Sequence, residues 1–216
     1  MRQNITNTTS NSYIKPCPFG MEVEPYWARR YDLFSRWDSG IQTDKEGLFS
    51  VKPELIAMGI ANWVSGQTII DGFCGIGGIT IALARSGHNV IAVDSNKNRL
   101  DMAKNNAKIY GVAGHIQFVH ADIFDFLKKA TSDTIVLDPD WGGPAYRKLK
   151  YFRLNDFKPN GRQLLEASLK ATGNMVLCVP ANFNIEEVLT LSKQFEYKKW
   201  KMWNRIICIT IKFSNQ

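Results

Sequence analysis

The stretch Asp138-Pro139-Asp140-Trp141-Gly142-Gly143-Pro144 sets a carboxylate, a rigid turn and an indole directly after the apolar run Thr134-Ile135-Val136-Leu137. Those residue types suit work on an exposed amino group of a nucleobase. A side-chain carboxylate and a backbone carbonyl at a proline can each accept a hydrogen bond from the amino hydrogens. The nitrogen is then fixed in direction and slightly more electron-rich, while a flat ring stacks on the base. On this reading Asp138 and the Pro139 carbonyl are the acceptors and Trp141 is the platform. The plainer alternative is a loop, since Asp-Pro and Gly-Gly-Pro punctuate turns and a tryptophan can merely plug a core.

Such a motif needs a frame. The run before it is short, bounded and apolar, as in a buried parallel strand that delivers its last residues to a sheet's carboxyl edge, where ligands bind. The same pattern predicts strands over 68–71, 89–94, 115–120 and 174–180, with helices over 79–85, 96–110, 123–129, 161–171 and 185–192. Segments 195–203 and 205–213 are close enough to pair as an antiparallel hairpin. The fold class is therefore α/β, a Rossmann-like and mostly parallel seven-stranded sheet.

Between the first strand and its helix lies Gly72-Phe73-Cys74-Gly75-Ile76-Gly77-Gly78, whose glycines permit a tight turn and close approach of backbone amides to a ligand. Asp94 closes the second strand, 94 − 75 = 19 positions beyond Gly75, near the roughly 20 expected of an acid that grips ribose hydroxyls. The glycine spacing is not that of a dinucleotide site. Asp71, at the end of the first strand, would repel a pyrophosphate but can meet the ammonium of S-adenosylmethionine. Direct displacement at an activated methyl asks for in-line positioning and for no histidine or cysteine nucleophile. Asp122, just past the third strand, either meets an adenine amino group or caps the next helix, and the two roles are compatible.

Upstream, residues 1–24 read as a loose arm and residues 25–65 as a helical extension to a domain spanning 66–216. Tyr26, Trp27, Arg30, Tyr31, Phe34 and Trp37 recur at helical spacing and predict an amphipathic helix with an aromatic face. A loop over 38–51 and a helix over 54–63 follow. The chain has 216 residues, 44% of them hydrophobic and 12% aromatic, with six tryptophans and a formal charge of +7. That balance suits a polyanionic partner, nucleic acid above all. Arg147, Lys148, Lys150, Arg153 and Lys158, interleaved with Tyr146, Tyr151, Phe152 and Phe157, add charge and rings immediately after the candidate base site. Cys17, Cys74, Cys178 and Cys208 form no Cys-x-x-Cys pair, which argues against structural zinc and a disulfide framework. The first residues lack the apolar core of a secretion signal, and no run approaches the ~18 apolar residues of a membrane span. A soluble, intracellular protein without metal or membrane partner is expected.

Read in order, Tyr26-Trp27-Ala28-Arg29-Arg30-Tyr31-Asp32-Leu33-Phe34-Ser35-Arg36-Trp37-Asp38, Glu46-Gly47-Leu48-Phe49-Ser50-Val51, Asp71-Gly72-Phe73-Cys74-Gly75-Ile76-Gly77-Gly78 and Trp141-Gly142-Gly143-Pro144 resemble the trimethylguanosine synthase family, RNA cap guanine 2-amino methyltransferases. The likeness runs from about residue 26 to the C-terminus. It implies S-adenosylmethionine as methyl donor and 7-methylguanosine-capped RNA as substrate. It further implies a cofactor site of Phe49, Asp71, Cys74, Gly75, Thr80, Asp94 and Asp122, and a catalytic set of Asp138, Pro139 and Trp141. Trp141 would stack on the positively charged methylated base, with Arg36 and Asn182 also on the substrate side.

Four positions depart from the family. Asp138 and Asp140 stand where it reads Ser and the second Pro of Ser-Pro-Pro-Trp. Gln42 replaces a basic residue, and Ala181 an arginine, both associated with cap phosphates. Either the basic segment near Arg147 compensates, or the target is a guanine in uncapped RNA, or the chain is a cap- or RNA-binding module without activity.

Overall fold

The computed structural model describes residues 16–189 and 194–214. Residues 1–15 of the expected arm and 190–192 of the expected last helix lie outside the described residues, as do 193 and 215–216. Five strands run parallel: β1 (Thr68–Asp71), β2 (Asn89–Asp94), β3 (Ile116–His120), β4 (Thr134–Leu137) and β5 (Asn174–Pro180). Two more, β6 (Phe195–Met202) and β7 (Arg205–Ser214), form the expected antiparallel hairpin, and β7 is also antiparallel to β5. The sheet order is β3-β2-β1-β4-β5-β7-β6. Strand order reverses between β1 and β4, so their carboxyl ends open the crevice where such sheets bind ligands.

Nine helices are described: α1 (Glu24–Trp27), α2 (Arg30–Leu33), α3 (Lys45–Ser50), α4 (Glu54–Ala61), α5 (Gly78–Arg85), α6 (Lys97–Ile109), α7 (Ile123–Leu127), α8 (Gly161–Ala171) and α9 (Glu186–Leu189). Alternation along the strands assigns side chains to the two faces of the sheet. Ile69, Val136, Val176, Cys178 and Cys208 join one core with α4, α5 and α6. Ile70, Ile135, Leu137, Met175, Leu177 and Ile209 join the other with α7 and α8. All four residues of β4 are buried, which is why the strand reads as an unbroken apolar run rather than an alternating one.

The helix expected over 26–37 is instead α1, α2 and a 3-10 turn at Trp37–Ser39. The Trp27 and Trp37 rings meet edge to face, 5.6 Å apart. In one continuous helix those ten positions would stand about 15 Å apart along the axis, so the chain must break to bury both rings. The loop expected over 38–51 contains α3, whose N-terminus is capped by Asp44 accepting from the Gly47 amide at 2.6 Å. Buried Asn106 of α6 binds α3's approach to the glycine turn: its Nδ2 donates to the carbonyls of Gln42 and Ile76, and its Oδ1 accepts from the Gln42 amide. Arg99 adds ion pairs to Asp44 and Glu46 at 2.9 and 2.5 Å. These bonds hold Phe49, on α3, over the carboxyl edge of the sheet.

Candidate active site

A cavity of about 900 Å³ opens at that edge, bounded by the α3–α4 region, the glycine turn, the end of β2, the segment after β4 and the β6–β7 hairpin. Asp138, Pro139 and Trp141 all line it, as do Phe49, Cys74, Gly75 and Asp94. Sequence positions as far apart as 49 and 141 thus face one space.

At the centre is a pair that no local pattern announced. Lys52, between α3 and α4, points its ammonium at Asp138, Nζ to Oδ2 2.5 Å, with the two side chains only 5% and 13% exposed. The same nitrogen lies 4.2 Å from the centre of the Trp141 ring. Burial is the largest influence on the Lys52 ammonium and disfavours its charge, while the Asp138 carboxylate, by charge and hydrogen bond and with the sulfurs of Cys208 and Cys178 beside it, moves it upward. Burial raises the Asp138 carboxyl, and Lys52 offsets that only in part, so it stays above the ordinary carboxylate range. The thiols of Cys178 and Cys208 beside this pair are pushed up, first by burial, Cys208 to about 12. Both are therefore neutral neighbours. Asp138 Oδ1 is buried and has no hydrogen-bond partner, and neither has the Trp141 indole N–H.

Trp141 is half-buried and braced edge-on by Tyr146, ring centres 5.3 Å apart. Asp140, where the family reads proline, makes a turn of its own. Its Oδ1 accepts from the Gly142 amide at 2.8 Å and its carbonyl from the Lys158 amide at 3.1 Å. A side chain that folds back on the next amides stiffens the loop by hydrogen bonding where proline would do so by its ring.

In the glycine turn, Gly75 has φ +52 and nothing within 4 Å of where a Cβ would stand. Its amide donates to Asp94 Oδ2 at 2.8 Å, while the other Asp94 oxygen accepts from the Asn96 amide. Gly78 is needed for close approach instead: a Cβ there would sit 2.4 Å from Val51 Cγ2.

Other expected site residues stand back from the cavity. Asp71 is buried behind the turn, where one oxygen accepts from the Thr80 hydroxyl at 2.5 Å and the other has no partner. Burial, opposed by the Thr80 bond and reinforced by Asp138 and Asp94, lifts its carboxyl to about 7. Asp122 is exposed and caps α7, accepting from the Phe124 and Asp125 amides. Asn182 ties down the segment after Trp141, its Nδ2 donating to the carbonyls of Tyr146 and Leu149. Arg36 donates to the Ile109 carbonyl at 2.8 Å and lies over the Tyr110 ring. Gln42 and Ala181 do not line the cavity either.

The mouth carries cations from three separate elements. Arg29 lies 4.3 Å from the ring centre of Trp203, Arg205 lies 5.4 Å from the same ring, and Arg147 sits near Tyr26 and Tyr146. None of the three arginines has an ion pair among the described residues. Trp203 and Asn204 form the hairpin tip with φ 51 and 58, the left-handed conformation that a bulky side chain seldom adopts. Arg147 of this rim was expected from the basic segment after the motif; Lys52, Trp203 and Arg205 were not. A lysine before a helix reads as solvated; its apolar neighbours Val51 and Pro53 were the one available hint of burial. Among the described residues no helix is long and apolar enough to cross a membrane, and no cluster of three His, Cys, Asp or Glu could hold a metal ion.

Residues 66–213 match the family model described as RNA cap guanine-N2 methyltransferase. Trimethylguanosine synthase of Schizosaccharomyces pombe is 32% identical over 190 residues, covering 81% of this chain and 79% of its own length. The same enzyme of Saccharomyces cerevisiae is 33% identical over 176 residues, covering 76% of this chain and 56% of its own. Among solved structures, a 16S rRNA N2 methyltransferase of T. thermophilus, in complex with AdoMet and guanosine, matches with a TM-score of 0.58 at 17% identity, over 82% of this chain and 45% of its own. That last likeness bears on the fold alone.

Proposed function

The chain belongs to the RNA cap guanine-N2 methyltransferase family and is an RNA methyltransferase, and we propose that it methylates the exocyclic 2-amino group of a 7-methylguanosine cap with S-adenosylmethionine as donor. The observation that carries this reading is the buried, partnerless Oδ1 of Asp138 beside the half-buried Trp141, in one cavity with the glycine turn. The residues present fit the cofactor. Gly75 leaves open the space a Cβ would fill, Asp94 offers a carboxylate at the end of β2, and Phe49 and Cys74 supply apolar walls. Those four would hold it. Asp71, Thr80 and Asp122 would shape the turn and the wall from behind.

The methyl would come from the sulfonium of S-adenosylmethionine held by those residues, with the C–S electron pair leaving on sulfur as the base nitrogen takes the methyl. Before that step Asp138 accepts one amino hydrogen and orients the nitrogen, and afterwards it receives the proton the nitrogen sheds. Trp141 holds the base plane by stacking. Arg29, Arg147 and Arg205 attract the phosphates of the RNA to the mouth, in place of the missing basic residues at 42 and 181.

Methyl transfer to a 7-methylguanosine cap analogue, and not to guanosine triphosphate, is the expected result with purified protein. Equal transfer to both would remove the cap reading. A second reading, a neutral guanine in uncapped RNA, draws on Lys52, whose ammonium already lies against the Trp141 ring; preference for an uncapped oligonucleotide would establish it. Full turnover by Asp138→Ala would refute the acceptor role.

A further inference from the structure

Among the described residues, Lys52 is the one buried cation that touches both halves of the candidate base site. Its ammonium binds Asp138 Oδ2 at 2.5 Å and lies 4.2 Å from the Trp141 ring centre. A buried ion pair is a poor device for stability alone, because desolvation offsets most of the Coulomb attraction and apolar residues of similar volume do as well or better. This pair is poorer than most, since it leaves Oδ1 buried without a donor. The arrangement is complete only when a further N–H arrives at Oδ1.

We propose that Lys52 is a positioning residue for methyl transfer: it locks one oxygen of Asp138 and so presents the other, ionised and correctly turned, to the amino hydrogen of the base. This rests on the reading of Asp138 as the acceptor. The groups facing Asp138 are few. Asp71 approaches from β1, Cys178 from β5 and Cys208 from β7, the thiols neutral and Asp71 repelling a second negative charge. Lys52 is thus the only neighbour among them that favours the charged carboxylate. Without it Asp138 protonates more readily and offers an O–H donor where an acceptor is needed. The amino group is then neither oriented nor relieved of its proton.

The test is the pH profile of methyl transfer by the full chain to a 7-methylguanosine cap analogue, or to whichever guanine substrate the wild type uses. Lys52→Met should lower kcat at neutral pH by ~100-fold or more, the scale of a lost acid–base or charge-stabilising group, with KM changed far less. Its acid limb should move up by about one pH unit or more, as expected when a carboxylate loses an adjacent cation. Lys52→Arg should return most of the activity and the original limb. If Lys52→Met does not fold, Lys52→Gln, which keeps a hydrogen-bond donor for Asp138 but no charge, should fold and show the same upward shift of the acid limb.

Wild-type kcat and an unmoved acid limb in Lys52→Met would overturn the proposal. So would a pH-independent loss that arginine does not rescue, which marks a structural role, and so would an unmoved acid limb in Lys52→Gln. A wild type inactive on every guanine substrate removes the acceptor reading and this inference with it, whereas an active wild type with an indifferent Lys52 removes this inference alone.

Discussion

Replacing Asp71 by Asn should flatten the pH dependence of folding stability. Asp71 lies fully inside the protein behind the glycine turn, and its carboxyl is raised from an ordinary 3.8 to about 7, first by burial and then by Asp138 and Asp94, against the Thr80 hydrogen bond. A carboxyl raised in the folded state favours folding while it is protonated. Its contribution is fully present below 3.8 and is lost as pH climbs through about 7, because ionising a buried group costs more than ionising an exposed one. At about 1.4 kcal/mol per pH unit, the loss across that window amounts to about 4 kcal/mol. Asparagine keeps an acceptor for the Thr80 hydroxyl and cannot ionise. Urea unfolding of both proteins at about pH 5, 6, 7 and 8, without cofactor, should therefore show the wild type losing stability relative to Asp71→Asn by about 1.4 kcal/mol per unit up to about pH 7, with little further change above it. Titrating groups not coupled to Asp71 are common to both proteins and cancel in the difference, which leaves Asp71 with its neighbours Asp138 and Asp94. Parallel curves would refute the reasoning, since they would mean that Asp71 ionises as an exposed acid does. Repeating the series with saturating S-adenosylmethionine tests the expected contact between Asp71 and the cofactor's ammonium: a nearby cation should shrink the slope, and an unchanged slope would confine Asp71 to shaping the turn.

Trp141→Ala should abolish methylation of the cap analogue while leaving S-adenosylmethionine binding by calorimetry nearly intact, because the ring lies on the base side of the cavity; parallel loss of both would show that it supports the whole pocket. Arg29→Ala/Arg205→Ala should raise KM for a capped oligonucleotide and reduce the slope of log KM against log salt by roughly 0.7 for each phosphate no longer neutralised, with kcat for a short cap analogue less affected. Gly78→Ala should destabilise by about 1–3 kcal/mol through overpacking, since its Cβ would meet Val51 Cγ2 at 2.4 Å, and Val51→Ala in the same chain should recover much of the melting temperature.

Periodicity and turn chemistry were enough to predict the frame. β1, β2, β4, β5 and α8 fall on their expected bounds, because buried parallel strands are short apolar runs and glycine, proline and asparagine mark their ends. The motif after β4 and the acid that closes β2 were legible for the same reason: each stands at a strand end, and in this topology strand ends converge. The extension was not legible in detail. Its aromatic spacing fits a helix, but burying Trp27 against Trp37 needs a break that only the tertiary structure dictates.

Lys52 marks the same boundary at the active site. Eighty-six positions separate it from Asp138, and beyond its apolar flanks Val51 and Pro53 the local sequence does not distinguish a solvated lysine from one held inside. The protein's own solvent exclusion makes the difference: once α3 and α4 close on the sheet edge, the ammonium loses water and the nearest carboxylate becomes its partner. Residue types fixed which chemistry was available, whereas packing decided which charges meet and which acceptor is left free.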